Sequence, residues 1–224
     1  MACASRTPQA KLTVINSLHE GVYGYGLTDA LRKHTDNDII ILQFCVCGTS
    51  INAPINWYPG DDPVADKVND EGLYGSFLKY VAEAKKQATA QDLTWNVKGL
   101  FWHQGESDAN APHAGNYQHN LQNLIYRFRK DLGVDLPIVI GHIRQLNEST
   151  ETINAAIDRI AVANPRIAAV PSSDLTFESA TDVHFNLAGC HALGERLAEA
   201  YIKLAGTSKT SGASEKPQSP PKHD

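Results

Sequence analysis

Val97-Lys98-Gly99-Leu100-Phe101-Trp102-His103-Gln104-Gly105-Glu106-Ser107-Asp108 is an apolar run that gives way abruptly to a dense polar turn. Val97 to Trp102 reads as a buried strand, and His103 to Asp108 as the loop at its carboxyl end. Open α/β sheets place their ligand crevice outside the carboxyl ends of the strands. His103, Gln104, Glu106, Ser107 and Asp108 can each hydrogen-bond or ionise, and Gly105 lets the backbone turn tightly. A loop that only joins two elements rarely needs that density of polar groups beside a core strand. It is expected to border an active site.

Working outward, apolar runs alternate with amphipathic stretches, the pattern of a mainly parallel sheet flanked by helices. Asp38 to Cys47 is rich in β-branched and apolar residues and reads as a central strand. Leu73 to Ala90 reads as a helix with Phe77, Leu78, Val81 and Ala84 on one face. His113 to Leu132 is a second, with Tyr117, Leu121, Leu124, Ile125 and Phe128 at helical spacing and Gly133 as a stop. Leu136 to Ile143 is a further strand, Thr150 to Ala163 a helix ended before Pro165, and Ile167 to Val170 a short strand. Leu187 to Leu204 closes the domain as a helix.

The start is less regular: Lys11 to Ile15 reads as a short first strand and Gly26 to His34 as a helix. The expected organisation is an N-terminal segment over 1–20, one domain over 21–205, and a tail over 206–224. The tail is rich in Ser, Lys and Pro and is too polar to order itself.

Bulk properties narrow the function. The chain has 224 residues, 42% of them hydrophobic, enough for one sizeable core. Lys and Arg number 20 against 25 Asp and Glu, a net charge of −5, and the basic residues are scattered. Nucleic acid is therefore not an expected partner. No apolar run approaches the roughly 20 residues that span a bilayer, and Met1 to Pro8 has no signal-like apolar stretch. The expectation is a cytoplasmic protein, or a secreted one if a longer precursor has been trimmed. Cys45 and Cys47 read as small core residues of a reduced protein. Without metal-ligand spacing among Cys and His, neither metal nor cofactor is expected. Gly21, Gly24 and Gly26 do not make a phosphate-cradling GxGxxG turn, which weakens a nucleotide-binding reading.

Three loops at corresponding strand ends carry the chemistry: Cys47 to Ser50, Trp102 to Asp108, and Thr181 to Asn186. The third brings Asp182 close to His184 in sequence. A His oriented by a carboxylate is the usual general base for a serine hydroxyl. A helix cap competes with this reading, since Asp182 or Asn186 could cap the helix starting near Leu187. Trp57 and Tyr58 either line a sugar-binding rim or anchor their loop by burial, the second being preferred.

WHQGESD, with CGTS upstream and DVHFN before the last helix, resembles the SGNH esterases. The closer similarity is to the sialate O-acetylesterase-like branch, which includes the acetyl xylan esterases of the sixth carbohydrate-esterase family. The resemblance runs from about Tyr23 to Leu204. It implies a flavodoxin-like three-layer α/β/α sandwich with a mainly parallel sheet, and metal-free hydrolysis of acetyl esters on sugars. By that resemblance His184 matches the catalytic His, and Gly48 and Gln104 the oxyanion donors. The family often places its Asp three residues before the His, where this chain has Thr181; Asp182, two before as also seen in the sialate branch, is the expected orienting carboxylate, and Glu106 is the substitute candidate.

The family's Gly-Gln-Ser-Asn nucleophile turn is missing from this chain. Ser17, after the possible strand Lys11 to Ile15, is the only Ser at a comparable position. A second alignment, the preferred one, leaves out the first strand and its nucleophile altogether. Two functions remain: a serine-dependent carbohydrate O-acetylesterase, or an inactive SGNH-fold protein that binds carbohydrate without hydrolysing it. Ser107 reads as a loop residue and Ser50 as bonding its own turn.

Overall fold

The computed structural model describes residues 23–37, 39–54, 56–60, 72–132 and 136–207. Ser17, the expected strand Lys11 to Ile15 and nearly all of the expected tail lie outside them. Three strands, β1 (Leu100–Trp102), β2 (Ile138–Gly141) and β3 (Ile167–Val170), form a parallel sheet in the order β1-β2-β3. Leu100 pairs with Ile138, and Ile138 with Ile167. The crossovers are helices: α3 (His113–Leu132) joins β1 to β2, and α4 (Glu148–Ala163) joins β2 to β3. Helices α1 (Tyr23–Arg32) and α2 (Leu73–Thr89) precede the sheet, and α5 (Leu187–Thr207) comes after it.

Strand alternation sorts the core into two layers, one on each face of the sheet. Ile138 and Ile140 pack with residues of α2, α3 and α4, among them Phe77, Leu124, Phe128 and Ile157. Val139, between them, packs on the other face with Leu27 of α1 and Leu193 and Leu197 of α5. Successive strand side chains point to opposite faces, so a strand covered by helices on both sides must be apolar throughout. Ile138, Val139 and Ile140 meet that condition and are fully buried. The α/β/α sandwich expected from the sequence is thus the observed architecture.

Several boundaries differ from expectation. Across 39–47 no strand is formed; residues 39–45 are half-buried, and 46–48 reach the surface. An apolar run encodes burial, whereas a ladder also requires a neighbour in register, which composition does not specify. β1 and β2 are likewise shorter than their apolar runs. Helix α4 begins at Glu148 rather than Thr150, because Asn147 and Thr150 form a capping box. Thr150 N donates to Asn147 Oδ1, and Asn147 N donates to Thr150 Oγ1, both at 3.0 Å. Cys47, expected in the core, is exposed, whereas Cys190 is buried.

Candidate active site

The site lies where β1, β2 and β3 end. Trp102 leads into the loop that turns at Gly105, whose φ of +151° suits glycine. A Cβ there would also come within 3.0 Å of Ile153 Cγ2, so the turn is pressed against α4. A short 3-10 turn, Glu106–Asp108, then brings Asp108 back under the loop.

Asp108 is 1% exposed and ties two loops together. It accepts from Ser50 Oγ at 2.5 Å, Ile51 N at 3.1 Å and Gln104 Nε2 at 2.7 Å. Gln104 Nε2 also donates to Thr49 O at 2.8 Å, which commits both amide hydrogens. Its backbone carbonyl accepts from Tyr117 Oη of α3 at 2.6 Å. Burial pushes that tyrosine hydroxyl far above its ordinary range, so it remains a donor. Trp57 is buried with Nε1 donating to Thr49 Oγ1, as expected for a loop anchor. Ser50 does bond its own turn, accepting from Asn52 N at 2.8 Å, and bonds Asp108 as well.

Gly48, one residue before this network, has φ of +68° and lies at the surface. A non-glycine residue would be strained there. Among the described residues nothing accepts its N–H. Gly48 stands beside the braced Thr49–Ser50 turn.

The loop after β3 carries Asp182 and His184 in contact. Asp182 Oδ1 stands 2.6 Å from His184 Nδ1 and 2.8 Å from His184 N. The backbone N–H of His184, then its side chain, hold the Asp182 carboxyl below the ordinary range. The helix-cap alternative falls to Asn186, whose Oδ1 accepts from Gly189 N at 2.9 Å. The His184 side chain is 72% exposed. Among the described residues no Ser, Thr or Cys is hydrogen-bonded to it.

Glu106 pairs with His103, Oε1 to Nε2 at 3.2 Å, rather than with His184. Burial pushes the Glu106 carboxyl up, but the charge and hydrogen bond of His103 outweigh that, with His184 adding a smaller pull. The net position is below the ordinary range. His103 also packs against Phe185, ring centroids 5.6 Å apart, and Phe185 stacks on Phe177 at 4.6 Å. These rings join the loop after β1 to the loop after β3.

A fourth loop, not foreseen from the sequence, carries Arg144, three residues beyond β2. Its guanidinium lies 4.1 Å from the Phe177 ring centroid and donates to the backbone carbonyls of Ser179 and Ala180 in the loop after β3. The part of Asp108 as a structural centre is equally unforeseen. Its only signal is position, four residues after Gln104 in the same motif. Among the described residues no group of three or more His, Cys, Asp or Glu side chains is placed to hold a metal, and no helix is long and apolar enough to cross a membrane.

A family model described as carbohydrate esterase, sialic acid-specific acetylesterase, matches residues 14–203. That span contains Ser17, Gly48, Gln104, Glu106, Asp182 and His184. The crystal structure of a protein from Arabidopsis thaliana is similar at 26% identity and a TM-score of 0.51, over 58% of this chain and 52% of that one. The structure of a carbohydrate acetylesterase from Xanthomonas citri shares the fold at 20% identity and a TM-score of 0.61, over 83% of this chain and 41% of that one. The chain therefore spans about half the length of these proteins or less. No curated protein sequence matches it.

Proposed function

Because the chain belongs to the sialic acid-specific acetylesterase family of carbohydrate esterases, we propose that it removes acetyl groups from sugars with a serine nucleophile. The observation that carries this reading is the Asp182–His184 contact on the loop after β3. Gly48 precedes the Thr49–Ser50 turn, which Gln104 of the loop after β1 braces. An oriented imidazole and a fixed backbone donor are the two groups that acyl transfer requires besides the nucleophile.

In this reading Ser17, which lies within the span of the family match, is the attacking group. His184 Nε2 takes the Ser17 hydroxyl proton as Oγ bonds to the acetyl carbonyl carbon. Asp182 holds Nδ1–H and stabilises the resulting imidazolium. The tetrahedral oxyanion rests on Gly48 N–H. Gln104 Nε2 joins it only by releasing Thr49 O or Asp108 Oδ2, and otherwise braces the turn that aims Gly48. Collapse breaks the bond to the sugar oxygen, which leaves with the proton from His184. Water then attacks the acetyl-enzyme as His184 accepts its proton, and collapse breaks the bond to Ser17 Oγ, which takes that proton from His184 as acetate departs. Glu106 is paired with His103, which holds its carboxyl below the ordinary range, and takes no part in these steps.

The test is hydrolysis of an activated acetyl ester and of acetylated sugars by wild type, Ser17→Ala and His184→Ala. Turnover lost in both variants is the expected result. Absence of wild-type turnover above buffer, with acetylated sugar still bound, would favour the inactive carbohydrate-binding alternative.

A further inference from the structure

We propose that Arg144 is a positioning residue that sets the conformation of the loop carrying Asp182 and His184, and through it the orientation of the His184 ring. The inference rests on reading that pair as the acid–base machinery.

The loop from Phe177 to Phe185 projects from the body of the protein. The two Phe residues form an isolated antiparallel bridge, and Glu178 N donates to His184 O at 3.0 Å. Between them most residues are exposed, with little apolar burial to hold them. The guanidinium of Arg144 fills this role. Nη1 donates to Ser179 O at 2.8 Å and to Asp182 O, and Nη2 donates to Ala180 O at 2.8 Å. Its face rests on Phe177 at the base of the loop. Three carbonyls of one short loop are thus gathered by one planar donor group. Among the described residues no other side chain donates to them.

The other end of Arg144 is fixed. Ile143, immediately before it, donates N–H to Asn154 Oδ1 at 3.0 Å and accepts from Asn154 Nδ2 at 2.9 Å. Asn154 is buried on α4, and Ile143 is itself 1% exposed. The path therefore runs from a rigid helix, through a clamped backbone unit, to a guanidinium, and so to the backbone of Asp182. Because Asp182 also accepts His184 N, moving its backbone moves both bonds that orient the imidazole. Catalysis tolerates little displacement of such a group: about 1 Å can cost on the order of a hundredfold in rate. Lysine could supply the charge but not the planar fork that spans several carbonyls.

The experiment tracks the His184 ring nitrogens by NMR in wild type, Arg144→Ala and Arg144→Lys, alongside acetyl-ester kinetics. In wild type, His184 is expected as a single tautomer with the proton on Nδ1. In Arg144→Ala, with a cooperative thermal unfolding transition as evidence of an intact core, the two nitrogens should move toward exchange-averaged positions. The kcat should fall roughly 10- to 100-fold with KM altered less than about threefold. Arg144→Lys should show the same change at smaller amplitude, and it decides the matter if Arg144→Ala does not fold. An unshifted His184 tautomer in a folded variant would overturn the proposal, as would an unchanged kcat. If the wild type hydrolyses no acetyl ester, the esterase reading fails, while the tautomer measurement still decides the role of Arg144.

Discussion

Asp182 Oδ1 holds both the backbone N–H and the ring Nδ1 of His184, at 2.8 and 2.6 Å. The pair is two residues apart, so one carboxylate oxygen fixes both the chain direction and the ring. The carboxyl is held below its ordinary range, and the sign comes from linkage. The contact contributes fully above the unfolded Asp value of about 3.9 and is lost as pH falls through the lower folded value. A carboxyl-carbon titration by NMR should place the Asp182 midpoint below that of an unpaired Asp. In His184→Ala the midpoint should rise toward the ordinary value. Equal midpoints in the two proteins would mean that the side-chain contact does not form in solution.

Asp108→Ala is expected to be among the most damaging substitutions near the site, although Asp108 does no chemistry. It strands the Ser50 hydroxyl, the Ile51 N–H and one Gln104 amide hydrogen, all buried. Each unsatisfied buried group costs about 1–3 kcal/mol, so a total loss of roughly 3–5 kcal/mol is expected, allowing for local relaxation. Thermal or denaturant unfolding reads it directly. A loss below about 1 kcal/mol would show that this network is not a structural centre.

Asn186→Ala separates the cap of α5 from the Asp182–His184 contact. It removes the acceptor for Gly189 N and for Thr176 Oγ1, and should lower stability by about 1 kcal/mol. The Asp182–His184 contact uses neither atom, so the His184 ring signals should keep their wild-type positions. Collapse of those signals would join cap and pair into one unit.

How far the sequence discloses this site depends on the kind of signal. Helix α3 is legible from His113 to Leu132 because Tyr117, Leu121, Leu124, Ile125 and Phe128 recur at helical spacing and all are buried. β3 is legible because four apolar residues stand between turns. The stretch 39–47 misleads, since its apolar character reflects partial burial and not membership of a ladder. Asp182 and His184 can be named from their order before the last helix. Whether the side chain of Asp182 turns to His184 or to the helix end cannot, because both fit a spacing of two. Arg144 carries no sequence signal at all. A single arginine in a polar loop has no periodicity, and its role arises only when β2 and β3 end side by side.

Gly48→Ala tests the oxyanion assignment. Nothing lies within 4 Å of the added Cβ, so the effect is confined to the backbone, where φ of +68° disfavours alanine by about 1–2 kcal/mol. The turn is expected to relax and turn the N–H away, lowering kcat by roughly tenfold or more with a modest fall in Tm. An unchanged kcat would remove Gly48 from the oxyanion site.

Covalent capture of the nucleophile decides most sharply whether this chain is a serine esterase. Wild type and His184→Ala would be treated with a fluorophosphonate, which phosphonylates a serine activated by a general base, with fluoride as the leaving group. The adduct would then be located by peptide mass spectrometry. One adduct is expected in wild type, on Ser17, and none in His184→Ala. A wild-type protein that carries no adduct on any serine, or an adduct that persists at full rate without His184, would contradict the serine-esterase mechanism.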